Sequence, residues 1–397
     1  MVAAIVSCAD DMLEPNSDSV ALYVHVPFCT RRCHYCDFAV TPSADPPVDD
    51  WLEALEKDLN QWQAELGELR LRRLDTIFVG GGTPSLLGGA GMEGLRRLIE
   101  DRFLLDIGSV EWSAEANPNS LTLETARAWR EAGVNRLSLG VQSFDDRVLQ
   151  WLGRLHDAAE ATAAVERART AGFDNVSVDL IFGVPGEVSR SWRHELEHAT
   201  ELALPHVSAY GLTAERRTAL GRRVDSGRVR MPDQEQYEYE YLTAVEILES
   251  HHLKQYEVSN FARSGYECRH NWHYWIGTEY LGVGPSSHSF VRGRRSWNVR
   301  DWPAYRAAAR DGTSLREGHE EPTPQQRSLE SLWLGLRTRR GIDLARHEIT
   351  ENSVASWIEE GRATLADGRL RLTARGWLLL DEVVTELSAR SAEARGL

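Results

Sequence analysis

The sequence lacks any run of 18 consecutive apolar residues, although 42% of its 397 residues are hydrophobic. Since a membrane-spanning helix needs about 20 such residues, no transmembrane segment is predicted. Residues 1–19 also lack lysine and arginine, whereas a secretory signal begins with positive charge. We therefore expect a cytoplasmic protein.

Basic residues are outnumbered by acidic ones in this chain. Lysine and arginine total 45 against 60 aspartates and glutamates, which gives a net charge of −15. No dense basic run interleaved with aromatic residues occurs. A nucleic-acid-binding surface requires such positive charge, so we expect no nucleic-acid partner.

Cysteine is rare as well, but it is not evenly spread. Of five cysteines, three fall within eight residues, at Cys29, Cys33 and Cys36. This clustering indicates a metal site in a reducing compartment and not a disulfide framework. Three thiolates lack the fourth ligand of a closed zinc site, whereas an iron–sulfur cube held at three corners keeps one iron open. The alternatives are a zinc site completed by His34 or Cys268, or three unrelated thiols.

Apolar segments alternate with amphipathic helices in the first half of the chain. Strands are predicted at residues 21–28, 74–79, 110–114, 136–140, 176–182 and 206–211. Helices are predicted at residues 51–66, capped by Asp49 or Asp50, and at 91–102, 121–132, 157–171 and 190–203. Because parallel strands need crossover connections, this alternation predicts an α/β fold. Six units, not eight, predict an open partial (β/α)6 barrel.

Chemically distinctive residues follow these strands. The cysteine loop follows the first, a glycine triplet at 80–82 the second, Glu115 the third and Gln142 the fourth, while Asp179 lies within the fifth. Barrel proteins carry their sites at the carboxyl ends of strands, so these residues predict one site at the barrel mouth. Carboxylates can hold an ammonium group or ribose hydroxyls, and glycine lets a backbone approach a ligand. Taken singly, each residue could equally form a sharp turn, a cap or a solvated charge.

A second concentration of unusual residues is the segment His-Asn-Trp-His-Tyr-Trp at 270–275. One interpretation makes its tryptophans core anchors, with histidines that satisfy buried polar groups. The other is a porphyrin site, because an imidazole can ligate heme iron and aromatic rings can stack on the macrocycle. The small-residue segment 281–288 that follows is interpreted as a flexible loop.

Three motifs together suggest a family: the CxxxCxxC cysteine loop, GGGTPS at 80–85 and HNWHYW at 270–275. They resemble the HemW-type heme chaperones of the radical S-adenosylmethionine (SAM) superfamily, from about residue 20 to the end of the chain. The resemblance implies a [4Fe–4S] cluster held by Cys29, Cys33 and Cys36. It implies SAM contacts at Tyr23, Tyr35, Gly81, Gly82, Thr83, Glu115, Gln142, Arg154 and Asp179. It implies heme contacts through the HNxxYW residues His270, Asn271, Tyr274 and Trp275.

The resemblance is compatible with two functions, and for neither of them do we assign a catalytic residue. The first is a heme chaperone that binds heme and transfers it to an acceptor protein, which could be membrane-associated. The second is the related HemN-type oxygen-independent coproporphyrinogen III oxidase, a radical SAM enzyme that decarboxylates its substrate. Such oxidases carry a further cysteine where this chain has Phe38, and a longer segment where fewer than thirty residues precede Cys29. Both differences favour the chaperone.

The expected domain organisation has four parts. They are a mobile leader at 1–18, the barrel at 19–214, a barrel extension at 215–294 and a smaller domain at 295–397. Helices at 328–338, 353–365 and 377–387, with a short strand at 370–376, predict an α+β, winged-helix-like fold for the last part. Without a basic recognition face, we expect it to cover the barrel mouth or dock a partner.

Overall fold

The computed structural model describes residues 19–67, 69 and 72–394. The mobile leader predicted at residues 1–18 lies outside the described residues. Among the helices of this described part, none combines the length and apolar character that a membrane crossing requires.

Six strand-and-helix units build the barrel. Its strands are β1 (Ser19–Val26), β2 (Arg73–Gly81), β3 (Glu111–Ala116), β4 (Arg136–Gln142), β5 (Asn175–Phe182) and β6 (His206–Gly211). Its helices are α1 (Val48–Leu66), α2 (Gly88–Arg102), α3 (Leu123–Ala132), α4 (Asp146–Leu152), α5 (Ala158–Thr170) and α6 (Trp192–Glu201). All six strands pair in parallel, in chain order. The predicted α/β partial barrel is therefore confirmed.

The strands end within two residues of their predicted limits, but two helix predictions need correction. Helix α4 was not predicted. At the start of α1, the N-cap is Pro47, and neither Asp49 nor Asp50 caps the helix. Both carboxylates instead lie in its first turn, where they interact favourably with the positive end of the helix dipole.

The barrel interior is polar because strand residues alternate between its two faces. In β1, Leu22 belongs to the apolar core beneath the helices, while Tyr23 and His25 lie on the other face and hydrogen-bond to each other. On β4, the Ser138 hydroxyl donates to Oδ1 of Asp179 on β5 at 3.1 Å. The interior therefore holds hydrogen-bonded polar groups that a site can use.

The sheet continues beyond the six units. Further elements are α7 (Ala219–Asp225), α8 (Gln234–Ser250), β7 (Lys254–Glu257), β8 (Asn260–Ala262), α9 (Arg269–Trp275), β9 (Tyr280–Val283), β10 (His288–Val291), β11 (Arg294–Asn298), α10 (Trp302–Asp311) and β12 (Arg316–Glu320). The strand order is β12-β11-β10-β9-β1-β2-β3-β4-β5-β6-β8-β7. The end strands β12 and β7 do not pair with each other, so the barrel stays open.

Strand β9 corrects the prediction of a flexible loop at 281–288. It pairs in parallel with β1, with Leu281 beside Leu22. Both Leu281 and Val283 are buried. Parallel pairing and burial therefore hold this small-residue segment in place.

A smaller C-terminal unit follows the sheet. It comprises α11 (Pro324–Leu336), β13 (Ile342–Asp343), α12 (Ala355–Glu359), β14 (Ala363–Ala366), β15 (Arg369–Leu372), α13 (Ala374–Trp377) and α14 (Leu380–Ala394). Its three strands form an antiparallel sheet in the order β13-β15-β14. The helix predicted at 353–365 is wrong at its end, because it stops at Glu359 and β14 follows. The mixture of helices and strands agrees with the α+β fold predicted from the sequence. The winged-helix interpretation stays a prediction.

The large sheet runs past residue 295, where the sequence suggested a domain boundary. Its last strand ends at Glu320. Helix α11 then begins with a capping box, in which the Thr323 and Gln326 side chains each bond to the other's backbone N–H. We therefore propose that the C-terminal unit begins near residue 322.

Candidate functional site

The three clustered cysteines lie on a loop that leaves β1 and is closed at its base. Residues Phe28–Cys29 pair with Thr41–Pro42, and within the loop the Cys36 N–H donates to the Cys33 carbonyl at 3.2 Å. Cys29, Cys33 and Cys36 are all partly accessible and line one cavity of about 580 Å³, called here the cysteine-loop cavity. The loop therefore brings three thiols to the carboxyl end of the barrel strands.

The glycine triplet after β2 fits tightly against the base of this loop. Gly82 N–H donates to the Val26 carbonyl and Thr83 N–H to the Phe28 carbonyl, both at 2.7 Å. A Cβ on Gly82 would lie 2.5 Å from the Phe28 oxygen, well inside contact distance. Glycine is required here because two backbones meet, whatever ligand the cavity holds.

A chain of hydrogen bonds connects an arginine to one of the sulfurs. Arg154 donates to Asn117 Oδ1, Asn117 Nδ2 donates to Thr83 Oγ1 at 2.9 Å, and Thr83 donates to Cys29 Sγ at 3.4 Å. Arg154 Nη1 also lies 3.7 Å from Cys33 Sγ. Burial raises the pKa of Cys29 to about 11, and the Thr83 hydrogen bond opposes that rise. Donors directed at these sulfurs favour their anionic form, the form that binds metal.

Two carboxyl groups form the opposite side of the cavity. Burial, and then the nearby Asp179, raise the pKa of Glu115 to about 7, while the Gly81 N–H and Arg136 act to lower it. Burial also raises the pKa of Asp179, against hydrogen bonds from Ser208 and Ser138. Like charges in a poorly solvated site repel, so a cationic ligand would be favoured between these carboxyls.

Gln142 adds a strained backbone to the same cavity. Its φ is +69°, in the left-handed region that non-glycine residues seldom adopt, and the β4–β5 register shifts just before it. Such strain persists only where surrounding structure holds it, and it is common at functional sites.

The cavity unites most of the residues that the resemblance assigned to SAM. Eight of the nine line it: Tyr35, Gly81, Gly82, Thr83, Glu115, Gln142, Arg154 and Asp179. Tyr23 does not. Its hydroxyl bonds to Nδ1 of His25 at 3.0 Å, and its ring stacks on Phe78. The lining also includes Tyr210, to which the sequence assigned no role.

Cys268 and His34, the candidates for a fourth zinc ligand, lie elsewhere. The Cys268 thiol is buried 3.8 Å from Glu111 Oε1 and does not line the cavity. His34 Nε2 bonds to the Trp151 carbonyl at 2.6 Å. In the described chain, no three His, Cys, Asp or Glu side chains are grouped for a single metal ion.

The HNWHYW segment forms the short helix α9, whose start is fixed by a distant carboxylate. Glu111 on β3 accepts hydrogen bonds from the backbone N–H groups of Arg269 and His270, each at 3.1 Å. The buried His270 ring bonds to Thr76 Oγ1 through Nδ1 and to the Tyr274 hydroxyl through Nε2, each at 2.8 Å. Both of its nitrogens are therefore engaged.

His273 is engaged in the same way. Its Nε2 bonds to Asp75 Oδ2 at 2.8 Å and its Nδ1 to Thr278 Oγ1 at 2.9 Å. Neither histidine of the motif thus presents a free ring nitrogen in this conformation. Asn271 is partly buried and lines neither of the two cavities described here.

Tyr274 and Trp275 border a second cavity of about 760 Å³, called here the interdomain cavity. It lies between α9 with β9 to β11 on one side and the C-terminal unit on the other. Trp275 Nε1 is buried, and no group in the described chain accepts its hydrogen bond. Among the residues that the structure describes, none lines both cavities.

The fold and the cysteine loop define a radical SAM protein, and a family model described as the radical SAM superfamily matches residues 23–199. The solved structure of coproporphyrinogen III oxidase (HemN) from Escherichia coli superimposes with a TM-score of 0.78. That match covers 96% of this chain and 92% of that chain, at 21% identity, and so shows the fold alone.

Relatives with higher sequence identity show which family of radical SAM proteins the chain belongs to. The chain is 36% identical to the heme chaperone HemW of Bacillus subtilis, over 91% of this chain and 97% of that protein. It is 40% identical to the heme chaperone HemW of Mycobacterium tuberculosis, over 92% of this chain and 94% of that protein. The chain belongs to the HemW family.

Proposed function

We propose that this protein binds heme and passes it to an acceptor protein, and that it carries a SAM-coordinated [4Fe–4S] cluster at the barrel mouth. Relatives named heme chaperones match more than nine-tenths of the chain. The observation that carries the heme part of the proposal is the placement of Tyr274 and Trp275 on a cavity separate from the cysteine loop.

The cluster would be held by Cys29, Cys33 and Cys36. These residues suit a cluster because hydrogen-bond donors are directed at their sulfurs. Thr83 lies within hydrogen-bonding reach of Cys29 Sγ, and Arg154 within reach of Cys33 Sγ. Hydrogen bonds to cluster sulfurs tune the reduction potential of such a centre. A bound cluster would supply one-electron chemistry with one iron open to an exchangeable ligand.

SAM would be bound by the residues around the loop. Glu115 and Asp179 offer carboxyls for its cationic and hydroxyl groups, and Arg154 carries a buried Nε without a partner in the described chain. Tyr35, Gln142 and the backbone of Gly81, Gly82 and Thr83 would complete the contacts. Tyr23 would act indirectly, because its hydroxyl orients His25 beneath the cavity.

Heme would occupy the interdomain cavity against the aromatic end of α9. Tyr274 and Trp275 offer ring faces and edges to a macrocycle, and the unpartnered Trp275 Nε1 offers a donor. His270 would position Tyr274 through the bond between its Nε2 and the phenol hydroxyl. Asn271 remains a candidate contact on the same helix.

Heme titration of the anaerobically reconstituted protein tests the proposal. We expect a saturable Soret band in the wild type, and weaker binding in Tyr274→Ala and Trp275→Ala. Tyr239→Ala is the matched control, because Tyr239 on α8 is 61% exposed and lines neither cavity. No saturable binding by the wild type would reject the proposal.

A parallel assay addresses the oxidase alternative, which the shared fold and the well-formed cysteine-loop cavity support. Anaerobic incubation with coproporphyrinogen III, SAM and a reductant should yield no decarboxylated porphyrin. Phe38 lines the cysteine-loop cavity where the oxidases carry a further cysteine, and its ring offers no thiol. Robust turnover without heme binding would reverse the ranking of the two functions.

A further inference from the structure

The interdomain cavity carries a charge opposite to that of the protein. Five arginines line it, at positions 295, 327, 340, 346 and 369, against the two carboxylates of Glu330 and Asp343. The whole chain has a net charge of −15. A concentration of guanidinium groups in an acidic protein indicates an anionic ligand, because arginine binds carboxylates and phosphates bidentately.

One of these arginines is free to bind a ligand. Arg295 is neutralised by Glu320 and Glu330. Arg346, in contrast, is exposed, and its side chain is in none of the ion pairs of the described chain. Its guanidinium is therefore available to an anionic group at the cavity rim.

The opposite wall of the cavity is aromatic. The rings of Tyr274 and Tyr280 meet edge to face with centroids 4.7 Å apart, and Phe290 continues the row 6.5 Å from Tyr280. Arg337 lies over the Trp275 ring at 4.8 Å and holds it in place. The cavity volume falls within the range of about 300–1,000 Å³ typical of ligand sites. A flat, hydrophobic ligand with anionic groups at one edge fits this combination.

His347 adds a metal-binding group to the same lining. It is half-buried, and its imidazole forms no hydrogen bond within the described chain. Its backbone N–H donates to the Leu344 carbonyl, and Asp343 Oδ1 accepts from the N–H groups of Ala345 and Arg346, so the turn is ordered. Burial, and then the adjacent Arg346, lower the pKa of His347, while Asp343 acts to raise it.

We propose that the iron of bound heme is ligated by His347 of the C-terminal unit, with Arg346 binding a propionate and α9 supplying the aromatic wall. This inference rests on the proposed heme binding and specifies its geometry. The imidazole that would hold the iron then belongs to the C-terminal unit, and His270 would position Tyr274.

The test is the absorbance spectrum of the full chain titrated with ferric heme. His347→Ala should shift the Soret band and weaken binding at least about ten-fold, because loss of a group that merely supports a ligand already costs a metal site about ten- to a hundred-fold. Added imidazole should restore the band position, because it can enter the space left by the side chain. His347→Met should instead give a distinct spectrum, since a thioether can also ligate iron.

Matched variants separate this inference from the parent proposal. His270→Ala should keep the Soret position with weaker binding, and Arg346→Gln should weaken binding without a shift. His194→Ala on α6 and Arg97→Gln on α2 are the controls, because both side chains lie outside the two cavities. If the wild type bound heme and His347→Ala bound it with the same spectrum and affinity, this inference would be overturned. If the wild type bound none, the parent proposal would fail as well.

Discussion

Replacing Glu115 by glutamine should stabilise the protein at alkaline pH and have a smaller effect at acidic pH. Burial and the neighbouring Asp179 raise the pKa of Glu115 from 4.5 to about 7. Between those two values the folded state binds a proton that the unfolded state releases, so wild-type stability falls as pH rises through this window. Above pH 7 the folded state must hold an ionised carboxylate in a poorly solvated place.

The size of the effect follows from that pKa. A carboxyl that titrates near pH 7 instead of 4.5 costs about 3 kcal/mol when ionised, at about 1.4 kcal/mol per pH unit. Glu115 borders the cysteine-loop cavity and stays partly accessible to water, which reduces this cost. We therefore expect Glu115→Gln to gain about 1–3 kcal/mol at pH 8.5. The glutamine oxygen can still accept the Gly81 N–H bond that Glu115 accepts now.

Urea denaturation of the metal-free protein at pH 5.0 and pH 8.5 measures this difference. Glu53→Gln is the control, because Glu53 is exposed on α1 and should show no comparable pH dependence. Asp179→Asn should lower the pH at which wild-type stability decreases, because it removes a like charge beside Glu115 and so lowers the pKa of Glu115. A stability difference that is the same at both pH values would refute the reasoning.

Three further predictions concern other parts of the chain. Substituting alanine for any of the three loop cysteines should abolish the visible charge-transfer absorbance of the reconstituted cluster, whereas Cys268→Ala should keep it. If Cys268→Ala lost this absorbance as fully, the three-ligand assignment would be contradicted. SAM should perturb the paramagnetic spectrum of the reduced cluster, and Asp179→Ala should weaken that effect without impairing cluster assembly. An unchanged wild-type spectrum at saturating SAM would reject that site. Asp58→Ala should destabilise the protein by about 3–5 kcal/mol in urea denaturation, because the fully buried Asp58 carboxylate pairs with half-buried Arg316 and accepts the hydroxyl of buried Tyr305.

The sequence predicted the barrel well because short strand-like segments rich in apolar residues alternate regularly with amphipathic helices. Helix α9 was different. Its aromatic residues carry a weak helix signal, and its capping carboxylate, Glu111, lies 159 residues before His270. Strand β9 was missed for a related reason, since Gly282 lowers its strand propensity and its order comes from pairing with β1.

The two cavities also differed in how far the sequence could predict them. Residues of the cysteine-loop cavity lie near the carboxyl ends of parallel strands or directly after them, so strand order alone brings Glu115 of β3 and Asp179 of β5 into one cavity. The interdomain cavity joins Tyr274 to His347, more than seventy positions apart and in different units. No periodic pattern links those two segments, and only the packed tertiary structure brings them to one cavity.

The central claim is that heme binds in the interdomain cavity, apart from the cysteine loop. It is tested most directly by heme titration of the reconstituted wild type and of cluster-free Cys33→Ala. Because the two cavities share no lining residue in the described part of the chain, the two proteins should bind one heme per chain with the same affinity and Soret position. Absence of saturable binding by the wild type, or its loss in Cys33→Ala with the fold intact, would contradict the account.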